Sequence, residues 1–338
     1  MVAGEIVSPE TVLDSAFEPV LRSISDGRIP GAALGLVDAS GTHAVRVGGK
    51  AALLPVERDV SLGTWFDLAS LTKVMFTTPR ILALAEEGVV DLDAPLTSVV
   101  PDFAQHNLDA WQRKVTFRQC LGHETSFPGV FPLYVYGTDP VQLRHFVLQY
   151  AWPAGPAVYS DINFILLGIV LERLAGKTIR GIDPGPGLAW SANPAEAAAT
   201  ENDPWRGRVL VGEVHDENCA ALQGAGHAGL FGTITSVLDF AHGLLTSDSD
   251  AVRLMRTPLS GRRTHGWERP YEGWSGGENC TPDTIGHTGF TGTGLWIDFA
   301  SRRAWALLTN RVHPTRHFDS GIFALRRAVG DAINRGMR

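Results

Sequence analysis

Hydrophobic positions recur along this chain with two different periods. Ser8-Pro9-Glu10 offers a hydroxyl cap followed by proline at the first helical position, and Val12, Leu13, Phe17, Val20, Leu21 and Ile24 then repeat at helical spacing as far as Gly27. The opening segment is therefore predicted to be an amphipathic helix. Residues 31–37 and 44–47 are short apolar runs around Asp38-Ala39-Ser40-Gly41, the pattern of a β-hairpin. The C-terminal part repeats the arrangement: residues 294–298 and 304–309 flank a turn at Ser301, and Ile322, Leu325, Val329 and Ile333 mark a closing helix. Matching elements at the two ends predict one antiparallel sheet with helices packed on it.

The middle differs in character. Apolar spacing and terminal glycines predict helices over residues 79–87, ending at Gly88, and 162–174, ending at Gly176. Residues 181–208 and 257–286 show little periodicity and are expected to be ordered loops around a site.

Composition narrows the function classes. The net charge of −7 comes with no basic run, which argues against nucleic acid or an anionic membrane as partner and favours a small molecule. Met1-Val2-Ala3-Gly4-Glu5 lacks the basic and apolar regions of a secretory leader, and no apolar stretch is long enough to span a bilayer, so a cytoplasmic location is expected. Cys120, Cys219 and Cys280 are odd in number and far apart, which suggests reduced packing residues and neither a disulfide framework nor a zinc site.

Candidate chemistry begins at Ser70-Leu71-Thr72-Lys73, the one Ser-x-x-Lys of a chain with only four lysines. Residues three apart share a helix face, so the Lys73 amine can reach the Ser70 hydroxyl. A desolvated amine of lowered pKa would remove its proton near neutrality. Tyr159-Ser160-Asp161 precedes the helix at Ile162; there Tyr159 is either a proton relay or a half-buried aromatic, and Asp161 either a polar site residue or an N-cap. His287-Thr288-Gly289 precedes an apolar run over residues 290–298 that reads as a strand, with Gly289 allowing close backbone approach.

Other motifs fail on context. Gly273-Trp274-Ser275-Gly276-Gly277 matches the nucleophile elbow of another hydrolase fold, but no buried strand precedes it and no helix follows. Gly224-Ala225-Gly226-His227-Ala228-Gly229 matches a dinucleotide fingerprint without the strand that should lead into it, and reads better as a tight turn beside the cleft. His215-Asp216-Glu217-Asn218 has no metal-ligand spacing, so no metal is expected. Phe127, Phe131, Tyr134, Tyr136 and Trp152 are either core of the helical part or an apolar acyl pocket.

Ser-x-x-Lys at a helix start, Tyr-x-Asp some ninety residues on, and His-Thr-Gly near the C-terminus resemble the three-part signature of the serine β-lactamase and penicillin-binding protein superfamily. The chain is most similar to its class C-like branch of carboxylesterases, D-amino-acid peptidases and muropeptide amidases. Ala83-Leu84-Ala85-Glu86-Glu87-Gly88, Gly226-His227-Ala228-Gly229-Leu230-Phe231 and Thr309-Asn310-Arg311-Val312-His313-Pro314 extend the resemblance over most of the chain. It implies an α/β (α+β) fold, with a sheet region from residues 1–64 and 281–338, a mostly helical region from 65–280, and the site at their interface.

The resemblance also implies roles. Ser70 would be acylated, Lys73 would be its base or proton relay, and Tyr159 would share the proton work. The N–H groups of Ser70 and Phe290 would form an oxyanion hole. Asp161, His287, Thr288 and Gly289 would line the substrate site. The implied activity is hydrolysis of a small ester, amide or peptide through an acyl-enzyme, without metal or organic cofactor. The alternative is a penicillin-binding or β-lactamase-type protein that acylates with β-lactams, serving as a sensor of little turnover. Two departures bear on substrate: β-lactamases of class C usually have asparagine at the place of Asp161 and lysine at that of His287. Gly122-His123-Glu124-Thr125-Ser126-Phe127-Pro128 also departs from the branch's usual run there, which puts the border of the active site in question.

Overall fold

A computed structural model describes residues 8–336. Residues 1–5, on which the expected absence of a leader rests, lie outside them. Helix α1 (Pro9–Ser25) starts where its cap places it, with the Ser8 side chain accepting from the Thr11 N–H. Its buried face carries Val12, Leu13, Phe17 and Val20. The hairpin follows as β1 (Gly31–Asp38) and β2 (His43–Ala52), and β2 pairs with a two-residue strand, β3 (Arg58–Asp59). From the other end of the chain come β4 (Thr284–Thr288), β5 (Gly294–Asp298) and β6 (Arg303–Thr309).

These strands form a six-stranded antiparallel sheet in the order β3-β2-β1-β6-β5-β4, so β1 and β6 join the two chain ends at its centre. Their pairing sets Ala32 opposite Thr309 and Leu36 opposite Trp305. Alternation sends neighbouring residues to opposite faces. Ala32, Leu34 and Leu36 pack with Trp296, Trp305, Leu307, α1 and the closing helix over Ile322–Gly336, whereas Ala33, Val37, Leu295 and Ile297 face the other core. Both faces are covered, which is why β1 reads as a continuous apolar run.

The second core joins the sheet to the helical middle. It includes the buried side of the helix over Thr78–Glu86, the almost wholly apolar helix over Asp161–Ala175 and the helix over Ile234–Leu245. Gly35 lets the last of these lie flat on β1: a Cβ there would stand 2.6 Å from Leu238 Cδ1. Among the described residues no helix is long and apolar enough to cross a membrane.

Two expectations need correction, and the two alternatives for the aromatic group resolve to one. The run over residues 290–298 is not one strand: β4 ends at Thr288, a turn follows, and β5 begins at Gly294. The loop over 181–208 holds part of a small hairpin, Ala199–Asp203 with Arg208–Val211. Its first strand, Ala199–Asp203, is polar at four of five positions and so leaves no apolar period to read. The aromatic group belongs to the helical part, with Phe127 and Trp152 buried and Phe131 against Tyr136 and Phe146, and none of its members lines the main cleft.

Candidate active site

The nucleophile motif sits on a constrained turn between the sheet and the helical middle. Ala69 has a left-handed backbone, φ 47°, which an alanine adopts only when its surroundings impose it. The imposing contacts are polar. Buried Asp67 accepts from Ala69 N through one oxygen at 2.8 Å and from His215 N through the other at 2.7 Å. Thr72 Oγ1 donates to Ala69 O at 2.7 Å, and Thr291 Oγ1 and Thr293 Oγ1 donate to the carbonyls of Asp67 and Leu68. Ser70 therefore enters the helix from a locked turn. The helix itself is wide at first, a π turn over Lys73–Thr77, before it settles into α geometry at Thr78.

Lys73 is wholly buried, and its Nζ has three partners: Ser70 Oγ at 2.8 Å, Asp161 Oδ1 at 2.8 Å and His227 O at 3.1 Å. Burial alone would push the amine toward its neutral form, but the charge of Asp161 and the Tyr159 hydroxyl outweigh it and hold the ammonium above the ordinary lysine range. The expectation of a neutral, low-pKa Lys73 is thus reversed by its partner. Asp161 is not a cap: Ser160 caps the helix, accepting from Ile162 N at 3.2 Å, and leaves Asp161 in the first turn facing Lys73.

Tyr159 stands between two imidazoles, His123 at 4.3 Å and His287 at 5.9 Å between ring centres, and the Arg263 guanidinium lies 5.1 Å from its ring centre. The altered border segment contributes His123, whose Nδ1 accepts from Ser160 N at 3.1 Å. His287 projects from β4, opposite Leu295. Its Nδ1 lies 3.0 Å from Thr288 O; a carbonyl only accepts, so this nitrogen carries the ring proton. Burial first, and then the charges of Lys73 and Arg263, keep His287 well below its usual pKa. The ring is therefore neutral near pH 7.

Gly289 brings the β4–β5 turn against the nucleophile's turn, since a Cβ would meet Thr293 Oγ1 at 2.2 Å and Leu68 O at 2.6 Å. Among the described residues neither the Ser70 nor the Phe290 N–H has a protein acceptor. The structure brings Ser70, Tyr159, Asp161, His287, Thr288, Gly289 and Phe290 to one cleft of about 530 Å³, with Lys73 beneath its floor.

Sequence reasoning missed several residues of this cleft. Asp216 and Glu217, set aside as unsuited to metal, line its wall. Arg316 pairs with Glu201 and Glu217 at 2.6 Å each, and His215 pairs with Glu201 at 2.9 Å. Arg263 comes from the aperiodic stretch and pairs with Glu268 at 3.0 Å. Ligand atoms of Asp161, Asp216 and His227 lie within 4.8 Å of one another, but the Lys73 ammonium already balances Asp161 there. Ser275 lies elsewhere, accepting from the Trp296 indole at 3.2 Å, as suits a loop serine.

Comparison with known proteins places the chain in a family and a fold. The family model for Beta-lactamase matches residues 13–329. A protein of Escherichia coli (strain K12), provisionally named a D-alanyl-D-alanine carboxypeptidase, is 28% identical over 310 residues, which cover 74% of this chain and 70% of the relative. An N-acetylmuramyl-L-alanine amidase of Bacillus subtilis (strain 168) is 29% identical over 303 residues, 74% of this chain and 68% of its own. Among solved structures, a class C beta lactamase superposes with a TM-score of 0.73 over 97% of this chain and 99% of that one; at 16% identity the likeness is one of fold.

Proposed function

The chain belongs to the Beta-lactamase family, whose members are serine hydrolases, and on that premise we propose that it cleaves a small ester or amide through an acyl-enzyme at Ser70. The observation that carries this reading is the position of Lys73 Nζ, 2.8 Å from both Ser70 Oγ and Asp161 Oδ1. A buried ammonium aimed at a serine oxygen stabilises the alkoxide that develops there.

In this reading Ser70 Oγ bonds to the substrate carbonyl carbon and its proton moves to the Tyr159 oxygen as the Tyr159 hydroxyl gives its own proton to the departing alkoxide or amine, so that Tyr159 ends as it began. Lys73, already protonated, serves as the fixed cation of the relay and not as its base. The carbonyl oxygen takes negative charge between the N–H groups of Ser70 and Phe290. Water then cleaves the acyl-enzyme by the reverse proton path. Neutral His287 closes the wall beside Tyr159 without adding charge.

The test is covalent labelling with a p-nitrophenyl alkylphosphonate followed by intact-mass and peptide analysis. One phosphonyl group on Ser70, absent in Ser70→Ala, is the expected result. A label on Ser275 that persists in Ser70→Ala would overturn the assignment.

A further inference from the structure

Two segments outside the three signature motifs meet beneath the nucleophile. His227 lies in a tight turn whose ends, Ala225 and Ala228, bridge each other, and its backbone carbonyl accepts from Lys73 Nζ at 3.1 Å. The side chain of the same residue reaches the other way. Its Nε2 stands 2.9 Å from Asp216 Oδ1, and the same oxygen accepts from Cys219 N at 2.7 Å. His227 is buried, and among the described residues its Nδ1 has no partner, so the hydrogen-bonded orientation of the ring rests on Asp216.

Asp216 is itself well fixed. It caps the short helix over Glu217–Ala221, and its neighbour His215 donates its backbone N–H to Asp67, the residue that holds the turn before Ser70. One short segment thus ties to the nucleophile through Asp67 and to the lysine through His227. Ser70 and Lys73 are three residues apart and their backbones are joined by a hydrogen bond from Lys73 N to Ser70 O of 3.1 Å, the π turn beginning only at Lys73; what remains to be fixed is the long lysine side chain, whose rotamer freedom only partners at Nζ can remove.

We propose that Asp216 is a positioning residue for Lys73: by anchoring the His227 ring it fixes the carbonyl that aims the ammonium at Ser70. This rests on the assignment of Ser70 as nucleophile. The proposal gives a function to the two motifs, His215-Asp216-Glu217-Asn218 and Gly224-Ala225-Gly226-His227-Ala228-Gly229, that neither metal nor dinucleotide binding explains. Neither side chain needs to touch the substrate for this.

The test follows phosphonylation of Ser70 by the same p-nitrophenyl phosphonate, in which Ser70 Oγ bonds phosphorus, p-nitrophenolate leaves with its electron pair, and the serine proton moves to the Tyr159 oxygen as Tyr159 releases its own to the leaving group or to solvent. The limiting rate and the half-saturating concentration are measured separately. Asp216→Ala and His227→Phe, the second keeping the buried volume, are each expected to slow the limiting rate about 10²-fold, the scale of a small misplacement of reacting groups. Half-saturation should stay within about twofold in His227→Phe, because the His227 side chain does not line the cleft. Asp216→Asn should recover most of the rate, since its amide oxygen still accepts from His227 Nε2 and Cys219 N. The double variant should be no slower than the slower single one.

Single variants with wild-type limiting rates would overturn the proposal, as would effects that multiply in the double variant or an Asp216→Asn as slow as Asp216→Ala. Ser70→Ala keeps this failure apart from the other. Labelling that survives it overturns the nucleophile assignment, whereas labelling that it abolishes and Asp216→Ala leaves unchanged overturns only the role of Asp216.

Discussion

Asp161 holds the Lys73 ammonium at 2.8 Å, and the lysine side chain has no exposed surface while the aspartate keeps 29% of its own. The pair decides what kind of group Lys73 is. In Asp161→Asn the partner's charge is gone and burial prevails, so the lysine pKa should fall into the pH window of an assay. With Lys73 acting as a cation, kcat/KM of Asp161→Asn should then decline as pH rises through the new pKa. A rate that rises there would make the neutral amine the base. The wild type, whose ammonium is held higher, should show neither limb in that window.

His123 and His287 should make the fold sensitive to acid and leave the active site indifferent to it near neutrality. Burial is the largest cause of the lowered pKa at both, assisted by the charges of Arg263 and Lys73. In the unfolded chain each protonates near its ordinary value of about 6.5, so below that pH the unfolded state binds protons first. Stability is full above about pH 6.5 and is lost progressively as pH falls toward the lower folded values. A plot of Tm against pH should slope downward on the acid side, less steeply in His287→Gln. The kcat/KM profile of the wild type should show no imidazole step between about pH 6 and 8.

The turn after β4 tests the oxyanion assignment without touching a side chain that does chemistry. Gly289→Ala places a methyl group 2.2 Å from Thr293 Oγ1 and 2.6 Å from Leu68 O, so the turn carrying the Phe290 N–H must move away from Ser70. Loss of one oxyanion donor costs about 10²–10³-fold in kcat. Gly289→Ala should lose activity on that scale while keeping a cooperative melting transition. Near-native kcat in the folded variant would exclude Phe290 N–H from the site.

The sequence was most informative where one period ruled a segment. The α1 cap was legible as Ser8-Pro9-Glu10 ahead of a helical period, and the closing hairpin as two apolar runs buried on both faces about a turn, because both signals are local. β4 was not, since Thr284, Gly286 and Thr288 carry little hydrophobic signal and the strand is held by pairing with β5. The site was legible as three short motifs, but its electrostatics were not. Whether Lys73 is charged depends on Asp161, eighty-eight residues away, and whether His287 titrates depends on burial and on Arg263. Asp216 and Arg263 looked like ordinary polar loop residues until the fold brought them to the cleft.

The cleft's charge balance predicts a preference among substrates. Lys73, Arg263 and Arg316 each have a carboxylate partner, whereas among the described residues Arg311 and Arg326 have none at ion-pair distance; Arg326 is buried and donates to Gly289 O and Thr293 O, which leaves Arg311 as the one more open to a substrate. Arg311 Nε donates to Phe290 O at 2.7 Å and the guanidinium lies 4.6 Å from the Phe290 ring centre, beside the turn expected to hold the oxyanion. Asp161 by itself would repel a substrate carboxylate, but Lys73 neutralises it, and Arg311 offers a cation with no carboxylate at ion-pair distance. A short ester with a free carboxylate, mono-p-nitrophenyl succinate, should therefore be cleaved with higher kcat/KM than p-nitrophenyl butyrate. Arg311→Gln also disturbs the Phe290 turn, so both rates should fall, and the ratio is the informative quantity. A hydrogen bond to a charged group contributes about 1.5–3 kcal/mol, so that ratio should drop about tenfold or more. A ratio unchanged by Arg311→Gln, or unaffected by raising the salt concentration in the wild type, would show that Arg311 does not read the substrate's charge.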